Sequence, residues 1–345
     1  MTALVTGAAG FVGFHVVQAL LARGEQVLGV DRLDSPFPAL AAARLARLEA
    51  LEGFSFHRLD LAAPGALACA AAGIDIERAV HLAGRAGLRG ADGPTLVRDN
   101  ILAQRQVVAF CRERKVGHLV HASSSAVYGG PCAVPMPISA YGATKRRAEI
   151  LARASAAAGG PPVTSLRYFT LYGPWSRPDT AVWHFTDAIL ARRPVRLHGH
   201  GRMRRSFTFI GDAVAATLAA LDCPPAVDSD GVRHAVADVR HPAAVGLEDF
   251  VTVLERLLAR RALRERVPAA RGEIAADAPE GTGPSGARSV PCHAAPTGIR
   301  EGLARFVAWY LGAGRALTAE SPCRGRRRRP VRPAGARGPS PVRRR

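Results

Sequence analysis

Along the first half of the chain, short apolar runs of strand length alternate with stretches in which apolar residues recur every three or four positions. Ala3-Leu-Val-Thr6 and Gln26 to Val30 read as strands, joined by a glycine turn and an apolar helical run from Phe14 to Leu21. Phe54 to Arg58, Arg78 to Leu82, His118 to Ala122 and Val163 to Arg167 read as further strands, with helical patterns between them. This rhythm predicts an α/β fold, a doubly wound parallel sheet of Rossmann type covered by helices on both faces. From Tyr172 onward Pro- and Gly-rich connections interrupt it. We therefore expect 1–170, rejoined by 202–225, to form one domain, and 171–201 with 226–315 to form a smaller C-terminal lobe.

The turn after the first strand is Gly7-Ala-Ala-Gly10-Phe-Val-Gly13. Three glycines between a strand and a helix leave the backbone N–H groups around Phe11 and Val12 open to a pyrophosphate, with no side chain to block its approach. The spacing GxxGxxG is one residue wider than the usual dinucleotide fingerprint. The second strand ends at Asp31, whose carboxylate can accept hydrogen bonds from an adenosine ribose. That favours NAD over NADP as cofactor, although Arg32 follows directly and could meet a 2′-phosphate.

Of 47 basic residues only Lys115 and Lys145 are lysines, so 45 are arginines. Lys145 stands four residues after Tyr141 in Tyr-Gly-Ala-Thr-Lys, which puts both side chains on one helix face. A neighbouring ammonium is expected to lower the phenol from its ordinary value of about 10, making Tyr141 a general base near neutral pH. Upstream, Ser123-Ser-Ser125-Ala-Val-Tyr128 follows the fifth strand and supplies candidate hydroxyls.

With these motifs the chain resembles the extended short-chain dehydrogenases/reductases of the nucleotide-sugar epimerase and dehydratase group. Several blocks are similar to the UDP-glucuronate 4-epimerases: TGAAGFVGFHV, the stretch AARLARLEALEGFSFHRLD from Ala42 to Asp60, RYFTLYGPWSRPD from Arg167 to Asp179, and HGRMRRSFTFIGD from His200 to Asp212. The resemblance implies bound NAD, with Asp60 and Leu61 flanking the adenine and Leu82 and Ala83 lying along the dinucleotide. It selects Ser124 as the catalytic hydroxyl beside Tyr141 and Lys145, and makes Arg89, Ser125, Thr170, Arg177 and Arg205 contacts for a UDP-sugar. Thr170 and Arg177 would hold the sugar carboxylate, and Arg205 the diphosphate. The implied reaction is inversion at carbon 4 through a transient 4-keto sugar. Alternatives are a 4-epimerase of neutral UDP-hexoses, an oxidative decarboxylase and a non-catalytic nucleotide-binding relative. The related 4,6-dehydratases carry an Asp-Glu pair where this chain has Ser125 and Ala126, so elimination of water lacks its acid and base. The resemblance also implies a homodimer through helices containing Tyr141 and Asn100. Departures from the family include Gly84 and Arg85 in place of a small residue and glutamine, Ser206 in place of an aspartate, a shortened loop from Gly129 to Ser139, and a stretch from 271 to 295 without recognisable family features.

Composition adds limits. No apolar run approaches the 18 or so residues of a membrane span, and Met1 leads straight into the first strand, so a cytoplasmic location is expected. Six cysteines show no CxxC pair or metal spacing, and no metal is expected. From Cys323 to Arg345 ten arginines and no acid supply +10 of the formal net charge of +19. This Arg- and Pro-rich tail, within 316–345, is expected to be disordered and to be the one route to nucleic acid, which is otherwise not an expected partner.

Overall fold

The computed structural model describes residues 1–85, 92–130, 135–269, 288–289 and 295–319. Its centre is one all-parallel sheet. The chain lays down β1 (Thr2–Thr6), α1 (Phe11–Ala22), β2 (Gln26–Asp31), α2 (Pro38–Glu49) and β3 (Phe54–Arg58) outward on one side. After the short α3 (Ala66–Ala70) it crosses back to place β4 (Arg78–His81) on the other side of β1. Then come α4 (Gly93–Val97), a π-helical turn Arg98–Leu102, α5 (Ala103–Glu113), β5 (His118–Ser124), α6 (Ala140–Ala157) and β6 (Val163–Tyr168). The strand order therefore reverses between β1 and β4, and a crevice opens there beyond the carboxyl ends of the strands.

The second half begins with β7 (Thr170–Tyr172), α7 (Ala181–Leu190), β8 (Pro194–Leu197), β9 (Arg204–Arg205), β10 (Phe207–Phe209) and α8 (Ile210–Asp222). It continues through β11 (His234–Val239), β12 (Val245–Gly246), α9 (Leu247–Leu258), β13 (Leu263–Arg266), β14 (Arg288–Ser289), α10 (Ile299–Trp309) and α11 (Ala316–Ala319). Three two-stranded ladders, β7 with β10, β8 with β13 and β9 with β12, lie outside the main sheet in the region of the expected smaller lobe, so β9 and β10 depart from the expectation that 202–225 rejoins the first domain. The stretch 226–315, expected to lie wholly in that lobe, instead sends β11 back into the main sheet beside β6. All six residues of β6 are buried, so its outer edge must find a hydrogen-bonding partner, and β11 provides one. Of the expected tail, 320–345 lies outside the described residues.

One aromatic cluster ties the lobe to the sheet domain. Trp175 packs against Phe14 of α1 at 5.2 Å and Trp309 of α10 at 5.4 Å, while Arg47 of α2 stacks on its ring at 5.0 Å. His15 of α1 contacts the carbonyl of Pro174 at 3.0 Å. The helix that starts at the glycine turn thus fixes the segment leading to Arg177.

Helix α6 is held by a buried ion pair. Arg167 of β6 donates from Nε and Nη2 to the two carboxylate oxygens of Glu149 at 2.7 and 2.8 Å, and both side chains are almost fully buried. Ser123 donates to the same carboxylate at 2.6 Å, and Tyr128, stacked on Arg167, accepts from its Nη1 at 2.8 Å and donates to Asp238 of β11 at 2.8 Å. Burial alone would raise the Glu149 carboxyl, but hydrogen bonds and charge from Arg167 hold it below its usual range.

Removing one partner leaves an uncompensated buried charge, so Arg167→Met should cost about 3–5 kcal/mol in chemical denaturation near neutral pH. Glu149's depressed value means that its stabilisation is complete above the ordinary glutamate value and is lost as pH falls through the lower folded value, so the difference from the parent should shrink in acid. Arg167→Met with Glu149→Leu should recover much of the loss. An Arg167→Met protein as stable as the parent would show that the pair does not hold the helix.

Candidate active site

The glycine turn is shaped by what its own backbone must touch. Gly7 has φ +71°, and a Cβ there would lie 2.7 Å from the nitrogen of Ala83 at the end of β4. On Gly10 it would meet the Gly7 carbonyl oxygen at 2.9 Å, and on Gly13 at 2.0 Å. The three glycines thus fold strand, turn and helix against one another at the switch point, as a phosphate cradle requires.

A cleft of about 940 Å³ opens above this turn. Gly7, Gly10, Phe11, Val12 and Gly13 form its floor. Asp31, Asp60, Leu61, Leu82 and Ala83 line it as well, so all the residues expected along the dinucleotide, apart from Tyr141 and Lys145, share this one wall. Asp31 accepts the amides of Ala9 at 3.1 Å and Leu33 at 2.9 Å, which fixes its carboxylate at the mouth of the turn. The donor set and the space at the glycines fit NAD.

Tyr141 and Lys145 lie on α6, capped at its start by the Ser139 hydroxyl, which accepts from the Gly142 amide at 3.0 Å. The Ser124 hydroxyl hydrogen-bonds the Tyr141 phenol and also accepts the Ala126 amide at 3.2 Å. Lys145 is buried, and its Nζ donates to the Ala122 carbonyl at 3.0 Å. It reaches the cleft wall: a Cβ on Gly84 would stand 3.3 Å from this Nζ and 2.8 Å from Asn100 Oδ1. Glycine at 84, a departure from the family pattern, therefore leaves space that Asn100 and Lys145 occupy.

The expected effect of Lys145 on Tyr141 needs correction. Burial pushes the phenol above its ordinary value, and the groups pulling it back are the Ser124 hydrogen bond and the charge of Arg177. Lys145 is bound to a backbone carbonyl, and burial lowers its own ammonium to about 8, with Glu149 opposing. The lysine's charge is thus poised near neutrality and is itself costly to keep.

Sequence reasoning named Asn100 only for the helix of an expected dimer contact and gave it no role in the site. Its Oδ1 accepts the Arg85 amide at 2.8 Å, and its Nδ2 donates to the Arg85 carbonyl at 3.1 Å and to Thr144 Oγ1 at 3.0 Å. One amide side chain thereby locks the turn after β4 to α6, next to Lys145. The signal was the π-helical turn, which distorts a helix at functional positions and has no clear mark in the sequence. Arg44 was also missed: buried on α2, it lines the cleft and donates to the carbonyls of Ala9 at 3.0 Å and Trp175 at 2.6 Å, bridging the glycine turn and the smaller lobe.

The substrate-side expectations divide. Arg177 lines the cleft, and its Nε and Nη2 donate to Asp179 at 2.9 Å each, which leaves the Nη1 side of the fork toward other acceptors. Thr170 lies in β7, registered against Phe207; its neighbours Phe169 and Leu171 line the cleft, and Thr170 itself does not. Ser125 opens a single 3-10 turn after Ser124. Arg205 sits on β9 against β12 and is not part of the cleft wall. Ser206, expected to be an aspartate in this family, accepts from Arg240 at 3.1 Å. Arg89 lies outside the described residues. Among the described residues no cluster of metal-binding side chains occurs, and no helix is long and apolar enough to cross a membrane.

Residues 3–232 match the model of the NAD dependent epimerase/dehydratase family, and the chain belongs to that family. It is 32% identical over 333 residues to a probable UDP-glucuronate 4-epimerase of Rhizobium meliloti, covering 90% of this chain and 97% of that one. It is 35% identical over 331 residues to UDP-glucuronate 4-epimerase 3 of Arabidopsis thaliana, covering 90% of this chain and 76% of that one. The UDP-glucuronic acid 4-epimerase of Bacillus cereus, solved in complex with UDP-glucuronic acid and NAD, superposes with a TM-score of 0.79 at 29% identity, covering 90% of this chain and 98% of that one.

With only two lysines, Lys145 can be titrated directly. After reductive ¹³C-methylation, the NMR signal that disappears in Lys145→Arg should titrate near pH 8 rather than at the usual 10.5 of a lysine. A midpoint at the usual value would mean that the ammonium is far better solvated than its burial implies.

Proposed function

We propose that the protein is an NAD-dependent UDP-sugar 4-epimerase that interconverts UDP-glucuronate and UDP-galacturonate. The observation that carries this reading is the hydrogen bond between Ser124 and Tyr141, on the helix whose Lys145 ammonium lies beside Gly84 of the cleft wall, in a chain whose relatives are named for this reaction. Gly7, Gly10, Phe11, Val12 and Gly13 hold the pyrophosphate of NAD, Asp31 its adenosine ribose, and Asp60, Leu61, Leu82 and Ala83 flank the rest. NAD supplies a reversible hydride acceptor.

Tyr141 takes the proton of the carbon-4 hydroxyl, and Ser124 hydrogen-bonds that oxygen as it becomes a carbonyl. The Lys145 ammonium, fixed by Ala122, holds the nicotinamide ribose and adds positive potential beneath the site. After the sugar turns over, the hydride would return to the other face of carbon 4 and Tyr141 returns the proton to the carbon-4 oxygen, so that carbon is inverted with no net redox change. Thr170 and the outer edge of Arg177 grip the sugar carboxylate. A ketone at carbon 4 makes that group part of a β-keto acid, so holding its bond away from the carbonyl π system protects it from decarboxylation. Arg89 and Ser125 complete the nucleotide-sugar contacts, and Arg205, held on the β9 and β12 ladder away from the cleft wall, is left without that role.

The same reading extends to a cytoplasmic homodimer with no membrane attachment. It draws on three exposed apolar side chains on adjoining elements: Val97 at the end of α4, Leu102 in the π-helical turn and Ile150 on α6. Ile150→Glu should convert a dimer to monomer in light scattering, and a parent protein already monomeric at micromolar concentration would remove that part of the proposal.

The decisive assay is UDP-glucuronate with added NAD, followed by anion-exchange separation and NMR of the anomeric signals. UDP-galacturonate should form, and Tyr141→Phe should lower turnover by roughly 10²–10⁴-fold with nucleotide binding intact. Conversion of UDP-glucose alone would transfer the assignment to a neutral hexose. Arg177→Ala should release UDP-pentose and weaken substrate binding; unchanged affinity with no pentose would remove its carboxylate role.

A further inference from the structure

Arg32 follows the ribose-binding Asp31 and is the residue in the sequence best placed to receive a 2′-phosphate. In the structure its guanidinium is already engaged. Nη1 and Nη2 donate to the two oxygens of Asp99 at 3.0 Å each, and Nη2 lies 2.6 Å from Asp34 Oδ2. Arg85 closes the same ring, with Nε 3.0 Å from Asp99 Oδ2 and Nη2 2.9 Å from Asp34 Oδ2. Arg98 joins Asp99 at 3.0 Å and pairs with Asp60.

We propose that Asp34 and Asp99, by holding Arg32 in this ring, make the adenosine end of the cleft select a ribose with a free 2′-hydroxyl and reject a 2′-phosphate. Four carboxylates, Asp31, Asp34, Asp60 and Asp99, line that end of the cleft, against Arg32 and Arg85 on the same wall and Arg98 behind them. A ribose hydroxyl needs an acceptor and finds Asp31. A phosphate dianion would have to break a two-bonded Arg–carboxylate pair while facing like charges, so selectivity comes from repulsion as well as from the ribose contact.

The other arginines near the site do not offer a substitute. Arg44 donates to the Ala9 and Trp175 carbonyls, and Arg177 to Asp179. Arg58 donates to the Arg32 carbonyl at 3.3 Å and is not part of the cleft wall. Arg85 stands where the family pattern has glutamine, so the ring includes a cation that pattern lacks. Burial alone would raise the Asp99 carboxyl, but the Arg32 and Arg85 contacts hold it below its ordinary value, so the acid stays charged.

This inference rests on the cleft's being the NAD site but not on the identity of the sugar. The test is calorimetric binding of ADP-ribose and of 2′-phospho-ADP-ribose to cofactor-depleted full-length protein. The parent should prefer ADP-ribose by about 100-fold or more, and Asp34→Asn with Asp99→Asn should narrow that preference by at least about 10-fold, chiefly by strengthening the phosphorylated ligand. Asp34 is half exposed, so Asp34→Asn alone should move in the same direction without disturbing the core. Arg32→Ala should leave the weak binding of the phosphorylated ligand unchanged.

An unchanged preference in the double variant, a parallel loss of both ligands, or a further loss of the phosphorylated ligand in Arg32→Ala would each overturn the proposal. Binding of neither ligand by the parent would remove the cofactor site itself. Failure to turn over UDP-glucuronate, with the selectivity intact, would count against the sugar assignment alone.

Discussion

The placement of Tyr141 and Lys145 depends on the docking of one helix by one buried ion pair. Glu149 stands four residues after Lys145, as Lys145 stands four after Tyr141, so the anchor, the cation and the phenol share one face of α6. Arg167, on the all-buried strand β6, takes both oxygens of Glu149, and Ser123 adds a third hydrogen bond from the strand that also carries Ser124. The pair is costly to bury, and replacing both members by apolar groups could be as stable. What apolar groups would not supply is orientation: three directed bonds set the rotation of α6 about its axis, and hence where Tyr141 meets Ser124.

An arginine-rich protein must find partners for its guanidiniums when they are near the interior, and here it does so in different ways. Arg167 is neutralised by Glu149, while Arg32, Arg85 and Arg98 share Asp34, Asp60 and Asp99. Arg44 has no carboxylate bonded to it and relies on two carbonyls, although Asp31 lies close enough to favour its charge. That exception sits at the glycine turn, the part of the cleft where a pyrophosphate would lie. The lysine kept at position 145 behaves differently again, because its proton is within reach of neutral pH where an arginine's would not be.

The legible part of the sequence was whatever local spacing determines. Glycine at 7, 10 and 13 followed by Asp31 marks the cradle because each residue acts through its own backbone or the end of its own strand. The Tyr141 and Lys145 pair was legible for the same reason, one helix and one face. The return of β11 to the main sheet was not, since nothing within His234–Val239 reveals which edge it will cover; the demand comes from β6. Arg205 was placed by its motif, yet the β9 and β12 ladder sets it away from the cleft wall. The acid–arginine ring and the Asn100 bridge were likewise hidden, because their members are brought together from the ends of separate elements.

The correction at Tyr141 follows from the same distinction. Helical spacing says that Tyr141 and Lys145 share a face, but not where the four-carbon lysine stem turns its ammonium. The Ala122 carbonyl at the end of β5 captures it, and the phenol is left to burial, which raises it, and to Ser124 and Arg177, which lower it. The phenol is therefore adjusted from the cleft side, by residues of β5 and of the segment that Trp175 anchors. Arg177 is held by Asp179 at the cleft wall, so its field reaches Tyr141 without its fork being committed to the phenol. An anion beside the outer edge of that fork would weaken the field at Tyr141.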